Sequence, residues 1–327
     1  MLRFHKWMVS KKRRSEVSGR LLVDECRPAT PLGRSESILT NIDTQKSKIL
    51  EIGPLYRPLV KKGGGNVFYA DHCSADELVE KYKDDPLVSA HALADIDFVV
   101  ERDIGEACKN AAPFDVVVAS HVIEHVPDLV GWMMSIHTLL RAGGILCLAV
   151  PDKRFTFDVL RRSTTMKDIR EAHEEKRSRP PLDIVCDSYR NSVGFEPGSI
   201  WNAPLDLERC AVGWPSSVVN GKIALHMKGC YVDVHCSVFT PWEFLKIVSS
   251  IVRDYKIEFS VRYFRNTIRG EEEFHVQMVK GEAGTDWDSL VNEAESNAVW
   301  PDYLPPSLLR RGMALGRGGS RCSIRPA

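Results

Sequence analysis

The sequence lacks the features that mark several large protein classes. No apolar run approaches the roughly 20 residues of a membrane-spanning helix, so no membrane span is expected. Lysine plus arginine equals aspartate plus glutamate at 44 each, so the net charge gives no sign of a nucleic-acid partner. The N-terminus carries charges but lacks the apolar core of a secretory leader. These absences predict a globular protein with neither a membrane span nor a nucleic-acid partner.

Paired cysteines are also missing. The nine cysteines are odd in number and scattered, and no two of them form a C-x-x-C pair. This pattern favours reduced thiols in the cytoplasm over a disulfide framework. The segment 226–236 holds two histidines and two cysteines, but their spacing matches no usual zinc site. We therefore expect a cytoplasmic protein without a metal site.

Glycine-rich nucleotide-binding loops are absent as well. The first strand-to-helix turn, in LEIGPLYRPL (50–59), contains only Gly53, whereas a dinucleotide site needs G-x-G-x-x-G. Pro54 has no amide hydrogen to offer a phosphate, and no P-loop is present. The turn is therefore not built for a pyrophosphate, which argues against a nicotinamide oxidoreductase.

What the sequence does contain is an alternation of short apolar runs with amphipathic stretches. Strands are predicted at 48–53, 66–71, 97–101, 114–120 and 144–151, with helices at 74–83 and 128–141. A helix at 240–255 and two strands at 257–264 and 272–281 follow a long irregular stretch. Alternating strands and helices are typical of a parallel sheet. The predicted fold class is α/β, a Rossmann-like doubly wound sheet of seven strands with an inserted substrate-binding segment.

This pattern divides the chain into three parts. Residues 1–45 are interpreted as an N-terminal arm, whose basic run at 11–14 is expected to be solvated. Residues 46–282 form the predicted catalytic domain, and 283–327 a C-terminal tail that is expected to be mobile. Within the domain, 156–235 breaks the alternation and is interpreted as an inserted substrate wall, since so long a loop usually serves a function.

S-adenosylmethionine suits the first turn better than a dinucleotide does, because it has no phosphate. Glu51 is expected to serve its cationic methionine end, either directly or by organising the loop. Gly53 lets the backbone approach the ligand closely, and Pro54 beside it is predicted to belong to the cofactor site as well. Asp71 ends the second strand, about 20 residues after Glu51, where an acid that accepts hydrogen bonds from a ribose is expected.

Five segments carry a family resemblance. LEIGPLYRPL, YADHCSADEL, FDVVVASHVIEHVPDLVGWM, LLRAGGILCLAVPDKRFTFD and DVHCSVFTPWEF, in this order, resemble class I S-adenosylmethionine-dependent methyltransferases of the type 11 kind. More narrowly, they resemble a bacterial subgroup associated with glycan and polysaccharide biosynthesis. The resemblance covers roughly residues 46–282, and its glycine loop is leaner than that of the general family.

The resemblance implies further cofactor contacts. Ser120 and His121 follow the fourth strand, where such enzymes place residues that face the methionine end. Glu124 and His125 are expected to organise that turn, with a purely structural role for His125 as the alternative. Asp103, which follows the third strand, is expected to contact the adenine. Glu101 is almost as good a choice, and a surface acid at a helix start is the competing interpretation.

The end of the fifth strand is expected to border the substrate pocket. Asp152 is predicted to orient a hydroxyl or act as a base, and Lys153 and Arg154 to hold an anionic group of the substrate. Phe155 and Phe157 are expected to stack on an apolar sugar face. The alternative is a charge cluster folded into local ion pairs.

A sugar hydroxyl is too weakly acidic to ionise unaided, so an oxygen acceptor would need a base. A strand through 231–239 would place Asp233 and His235 on one face. This pair, or His121, is the predicted base. Buried pairing without a catalytic role is the competing interpretation for each histidine.

The predicted function is methyl transfer from S-adenosylmethionine to an oxygen of a sugar or glycan intermediate. The alternatives are a non-glycan small-molecule acceptor and a non-catalytic Rossmann-like binding subunit. The sequence does not indicate an oligomeric state.

Overall fold

The computed structural model describes residues 22–23, 32–63, 66–83, 88, 91–194, 199–201, 211–281 and 284–300. The basic run 11–14 and residues 301–327 of the predicted tail lie outside the described residues, so their predictions are not addressed by the structure.

The described strands form one large sheet and one two-stranded ribbon. They are β1 Leu22–Val23, β2 Ile49–Ile52, β3 Val67–Asp71, β4 Phe98–Val99, β5 Phe114–Ser120, β6 Leu140–Pro151, β7 Val193–Gly194, β8 Ala211–Val212, β9 Phe259–Arg265 and β10 Glu273–Lys280. The large sheet has the order β1-β9-β10-β6-β5-β2-β3-β4, and β10 runs antiparallel to both of its neighbours. All seven predicted strands are present, which confirms the Rossmann-like α/β fold. The two-residue β1 adds a parallel edge strand that was not predicted.

Helices cover the sheet and fill the insertion. They are α1 Arg34–Ile38, α2 Ala75–Lys81, α3 Ile104–Cys108, α4 Leu129–Leu139, α5 Met166–Glu174, α6 Leu182–Asn191, α7 Ser216–Met227, α8 Pro241–Tyr255 and α9 Trp287–Ser296. Two predicted helix starts are confirmed: Ser74 and Thr240 each accept a hydrogen bond from the backbone three residues on, in a capping box. Within the described residues, no helix is long and apolar enough to cross a bilayer.

The core lies on both faces of the central strands. All four residues of β2 are buried, and β5 and β6 are buried over most of their length. Near-continuous apolar strands of this kind require cover on both sides, which the flanking helices provide. The cysteines that the structure describes, at 73, 108, 147, 186, 230 and 236, are all free thiols, as the sequence predicts.

The predicted arm and tail are both wrong where the structure describes them. Helix α1 lies inside residues 1–45, yet Ser37 and Ile38 are fully buried against the sheet. Helix α9 lies inside 283–327, yet it packs on α8 through Leu290, Val291 and Ala294. Both segments carry a short apolar stripe within a polar composition. The folded domain therefore extends beyond the predicted limits of 46 and 282.

We expect Leu290→Ala to lower the free energy of unfolding by about 2–5 kcal/mol, the usual cost of emptying a buried leucine site. Urea denaturation followed by circular dichroism measures this. Asn292→Ala, on the exposed side of the same helix, is the matched control and should change stability by no more than about 0.5 kcal/mol. Equal stability of the two variants would mean that α9 does not belong to the core.

Candidate active site

The site is built at the carboxyl edge of the parallel strands. Strand β2 lies between β3 and β5, and Ile52 is in register with Ala70 and with Ala119. The next residue of each strand, Gly53, Asp71 and Ser120, therefore lies at the same level. The strand order reverses between β2 and β5, which is the position where open α/β sheets bind ligands. The structure thus brings three of the predicted cofactor residues to one edge.

The turn after β2 is shaped by Glu51 and Gly53. Gly53 has a φ of +67°, and a side-chain carbon there would meet Val122 Cγ2 at 3.0 Å, so glycine is required. Glu51 is buried and accepts hydrogen bonds from the backbone amides of Leu59 and Val60 at 2.7 and 2.9 Å. Burial raises the pKa of Glu51 to about 7, although those two amides act in the opposite direction. Glu51 therefore organises the loop, which is the second of its two predicted roles, and Pro54 is buried within this loop.

Asp71 ends β3 with its carboxylate almost fully buried. Its Oδ1 accepts a hydrogen bond from the amide of His72 at 2.7 Å and lies 2.6 Å from His72 Nδ1. These contacts hold the carboxylate at the sheet edge and engage one of its two oxygens. The ribose contact of Asp71 stays a prediction, and Oδ2 is the oxygen that would make it.

The segment after β5 carries the predicted His121. This residue has a φ of +53°, uncommon outside glycine, and strained backbone of this kind clusters at functional sites. Its Nε2 lies 2.7 Å from Glu273 Oε2, and its side chain is about one-third exposed. Burial disfavours protonation of the ring, but the hydrogen bond to Glu273 and the charge of Glu124 together raise the pKa of His121.

Sequence reasoning missed Glu273 and Arg34. Glu273 begins the antiparallel β10, so it lies at the same edge as the ends of the parallel strands. Arg34 donates to both oxygens of Glu273 at 2.8 Å and to Ser120 Oγ at 2.6 Å. Burial alone would raise the pKa of Glu273, but the hydrogen bonds of His121, His275 and Arg34 hold it well below its usual value. No local pattern marks this pair, because Arg34 belongs to a five-residue helix and Glu273 follows two other acids.

A second group of histidines surrounds the carboxylate of Glu124. His121 Nδ1 lies 3.7 Å from Glu124 Oε1, and Nε2 of both His125 and His235 lies 4.0 Å from the same oxygen. His235 reaches this position because the amides of Cys236 and Ser237 donate to the carbonyl of Glu124. Glu124 itself is 1% exposed.

The predicted pairing of Asp233 with His235 is wrong. The segment 231–239 is not a strand, apart from one bridge at Phe239. His235 Nδ1 instead bonds to Asp158 at 2.5 Å, and Asp233 bonds to His125 Nδ1 at 2.8 Å. Burial would raise the pKa of Asp158, but His235 and then Arg161 lower it to about 2. His235 and His125 therefore each have a carboxylate partner, and Asp233 belongs to His125 rather than to His235.

The substrate-binding roles predicted for Asp152, Lys153 and Arg154 are also contradicted. Asp152 and Arg154 are buried and form a two-pronged ion pair, while Arg154 Nη1 donates to the carbonyl of Val299. Lys153 is equally buried and donates to the carbonyl of Val159, and burial lowers its pKa. Phe155 is buried and stacks on Trp201, with 4.4 Å between the ring centroids, whereas Phe157 is 38% exposed. The alternative of local ion pairs is the correct one.

The adenine contact stays a prediction. Asp103 caps α3 by accepting from the amide of Glu106 at 2.8 Å, and it also accepts from Ser135 Oγ at 2.6 Å. These bonds give it a structural role at a helix start. Glu101, the other choice, is exposed.

A family model described as a methyltransferase domain matches residues 37–183. The match confirms the predicted enzyme class and covers the strands whose ends form the site. No curated protein matches the sequence.

Three solved structures are similar to this chain in the path of the backbone. One is a protein from Rhodobacter sphaeroides assigned to the zinc-dependent alcohol dehydrogenases, with 16% identity over 77% of this chain and 92% of that chain and a TM-score of 0.43. The second is an S-adenosylmethionine-dependent methyltransferase from Mesorhizobium loti, with 12% identity, coverage of 75% and 95% and a TM-score of 0.35. The third is such an enzyme from Clostridium acetobutylicum, with 10% identity, coverage of 72% and 84% and a TM-score of 0.36. With sequence identities of 10–16% and TM-scores of 0.35–0.43, no functional role is transferred from these structures to this chain.

S-adenosylmethionine, the predicted cofactor, is the methyl donor that this domain implies, and the site fits it. Gly53 has no side chain to keep a ligand away from the backbone of the turn. The carboxylate of Asp71 stands at the neighbouring strand end, as a ribose diol requires. The cofactor supplies an electrophilic methyl group on a sulfonium, and the chain supplies the acceptors and the alignment.

We expect Asp71→Ala to weaken S-adenosylhomocysteine binding more than tenfold, because a charge-assisted hydrogen bond contributes about 1.5–3 kcal/mol. Gly53→Val should weaken binding as well, because a branched side chain at a φ of +67° would strain the turn and press against Val122. Isothermal titration calorimetry gives both affinities. Asp76→Ala, at an acid in the first turn of α2, is the control and should bind like wild type. Wild-type affinity of Asp71→Ala would contradict the ribose assignment.

Arg154→Ala should lower the free energy of unfolding by about 3–5 kcal/mol, because it leaves the buried Asp152 without its counter-charge. Arg162→Ala removes a partly exposed ion pair with Asp168 and should cost less than about 1 kcal/mol. Chemical denaturation of the two variants compares these costs. A stable Arg154→Ala protein with a raised KM for an anionic acceptor would instead restore the substrate role.

Proposed function

We propose that the enzyme transfers a methyl group from S-adenosylmethionine to a hydroxyl of a sugar or glycan intermediate. The single observation that supports an oxygen acceptor is the position of His121. This histidine lies at the carboxyl edge of the parallel strands and is held by the carboxylate of Glu273. A hydroxyl needs such a group to take its proton, whereas an amine that reacts in its neutral form does not.

His121 suits the role of base better than His235 does. Its hydrogen bond to Glu273 engages Nε2, which leaves Nδ1 with the lone pair in the neutral ring. It directly follows Ser120, at the end of a strand beside the strand-order reversal, and one-third of its side chain is open to solvent. His235 is 9% exposed, and its Nδ1 is occupied by Asp158. A base has to reach the substrate, so we assign His121 to it.

The sugar assignment is supported by the family resemblance and by one aromatic surface. Phe157 is partly exposed, and its ring lies 4.9 Å from the ring of His235. An exposed ring beside the histidines offers a flat surface to the apolar face of a sugar. Trp214, in the insertion, is 55% exposed and lies 6.0 Å from Tyr189. The insertion thus offers aromatic surface, whereas its cations Arg161 and Arg162 are engaged by aspartates.

A screen of nucleotide sugars and lipid-linked glycans, with S-adenosylmethionine as donor, should identify the acceptor. With that acceptor, we expect His121→Ala to lower kcat by roughly 10²–10⁴, as for loss of a general base. The affinity for S-adenosylhomocysteine, measured in parallel, should change far less. His173→Ala is the control, since His173 is also paired with a carboxylate, but with that of Asp128 rather than with Glu273 or Glu124.

Methylation of only a small phenol or amine in that screen would contradict the glycan assignment but leave the methyltransferase intact. An unchanged kcat in His121→Ala would remove His121 as the base without bearing on the acceptor class.

A further inference from the structure

We propose that Glu124, His125 and His235 form a binding site for one divalent transition-metal ion. One carboxylate oxygen and two imidazole nitrogens, one from each residue, lie within 4.8 Å of one another. The three residues come from two distant parts of the chain, so the cluster results from the fold rather than from a local sequence motif. The sequence prediction of no metal site considered only spacing within 226–236.

Glu124 is the central observation. Its side chain is 1% exposed, and neither of its carboxylate oxygens has a hydrogen-bond partner among the described residues. An ionised carboxylate without partners is costly to bury, and buried charges are normally paired or bound to metals. Nitrogens of three histidines lie 3.7–4.0 Å from Glu124 Oε1, which is beyond hydrogen-bond range. The space between them therefore calls for a cation.

Both histidine ligands are oriented as metal-binding histidines are. His125 Nδ1 bonds to Asp233 and His235 Nδ1 bonds to Asp158, so in the neutral ring each Nε2 carries the lone pair. Metal-ligating histidines almost always donate their other nitrogen to a carboxylate or carbonyl in this way. Both Nε2 atoms lie 4.0 Å from the same oxygen, Glu124 Oε1.

The supporting carboxylates are themselves held in place. Asp158 is paired with Arg161 at 2.8 Å, and Arg161 also donates to the carbonyl of His235 at 2.9 Å. Asp233 is paired with Lys81 at 3.0 Å. If the cluster served only as a set of internal salt bridges, the imidazole N–H groups would donate hydrogen bonds to the carboxylate of Glu124. Here, instead, their N–H groups bond to other acids.

The spacing and the ligand types indicate the kind of ion. Ligands bound at about 2.0–2.2 Å to one ion lie roughly 3–4 Å apart, which small side-chain movements would reach here. Two imidazoles and one carboxylate suit zinc, iron or cobalt in the divalent state, whereas magnesium and calcium prefer oxygen ligands. His125 is about one-third exposed, which leaves an entry path from solvent. Three protein ligands also leave a coordination position open.

An ion here would act on the acceptor, and this consequence rests on the proposed function. A hydroxyl bound at the open position would have its pKa lowered by the ion and would pass its proton to His121, whose Nδ1 lies 3.7 Å from Glu124. The acceptor oxygen would then form a bond to the methyl carbon as the carbon–sulfur bond breaks. The electron pair of the carbon–sulfur bond would stay on sulfur, so the products would be a methyl ether, S-adenosylhomocysteine and a protonated His121.

The test uses the full chain, stripped of metal with a chelator and titrated with Co²⁺ or Zn²⁺ alone. We expect about one ion per chain by calorimetry, visible Co²⁺ absorption bands and a higher melting temperature with Zn²⁺. Mg²⁺ should not compete. Glu124→Gln and His235→Asn should each weaken Co²⁺ binding at least about 100-fold. Asp158→Asn should weaken it about 10–100-fold, as loss of a supporting carboxylate does.

His173→Ala is the matched control, because it removes a partly exposed histidine that is also paired with an aspartate. It should bind Co²⁺ like wild type. Failure of the wild-type chain to bind Co²⁺ or Zn²⁺, or equal binding by Glu124→Gln, would overturn the metal site. Because no donor or acceptor is present, either outcome is separate from the proposed function. S-adenosylhomocysteine affinity and methyl transfer are measured independently.

Discussion

The parallel pairing of β2 with both β3 and β5 is the constraint on which the rest of the molecule depends. It fixes Gly53, Asp71 and Ser120 at one level, although the first and the last of them are 67 positions apart in the sequence. A shift of one residue in either register would turn every side chain of that strand to the opposite face. Because these strands are buried on both faces, such a shift would also break the core. The cofactor edge is therefore as rigid as the core itself.

The sequence was sufficient to predict the core of the fold for a simple physical reason. Strands covered on both faces are nearly continuous apolar runs, and capped helices between them carry explicit start signals such as Ser74 and Thr240. Short elements carry no such signal. Helix α1 has five residues and β1 has two, and both are held by tertiary contacts rather than by local preference. That is why an apparent arm proved to contain Arg34, which reaches the site.

The positions of the site residues were easier to predict than their partners. A residue at a strand end is placed by the sheet, so the position of Asp71 could be predicted from the pattern, and that of His121 from the pattern together with the family resemblance. Partners joined across the fold could not, because His235 and Asp158 are 77 residues apart and meet only through the insertion. The wrong pairing of Asp233 with His235 arose from treating 231–239 as a strand. The path of this segment is determined instead by two hydrogen bonds, which the amides of Cys236 and Ser237 donate to the carbonyl of Glu124.

The insertion thereby has a structural role in the site. It contributes Asp158, Arg161 and Asp187, and these charges hold His235 against the edge of the sheet. Buried charges of this kind are stable only as a complete set, since removal of one leaves another without compensation. The same reasoning applies to Glu124, whose negative charge no described hydrogen bond compensates. A cation bound between Glu124 and the two oriented histidines would complete the set, and it would also join the acceptor side of the site to the cofactor side at the strand end that carries His121.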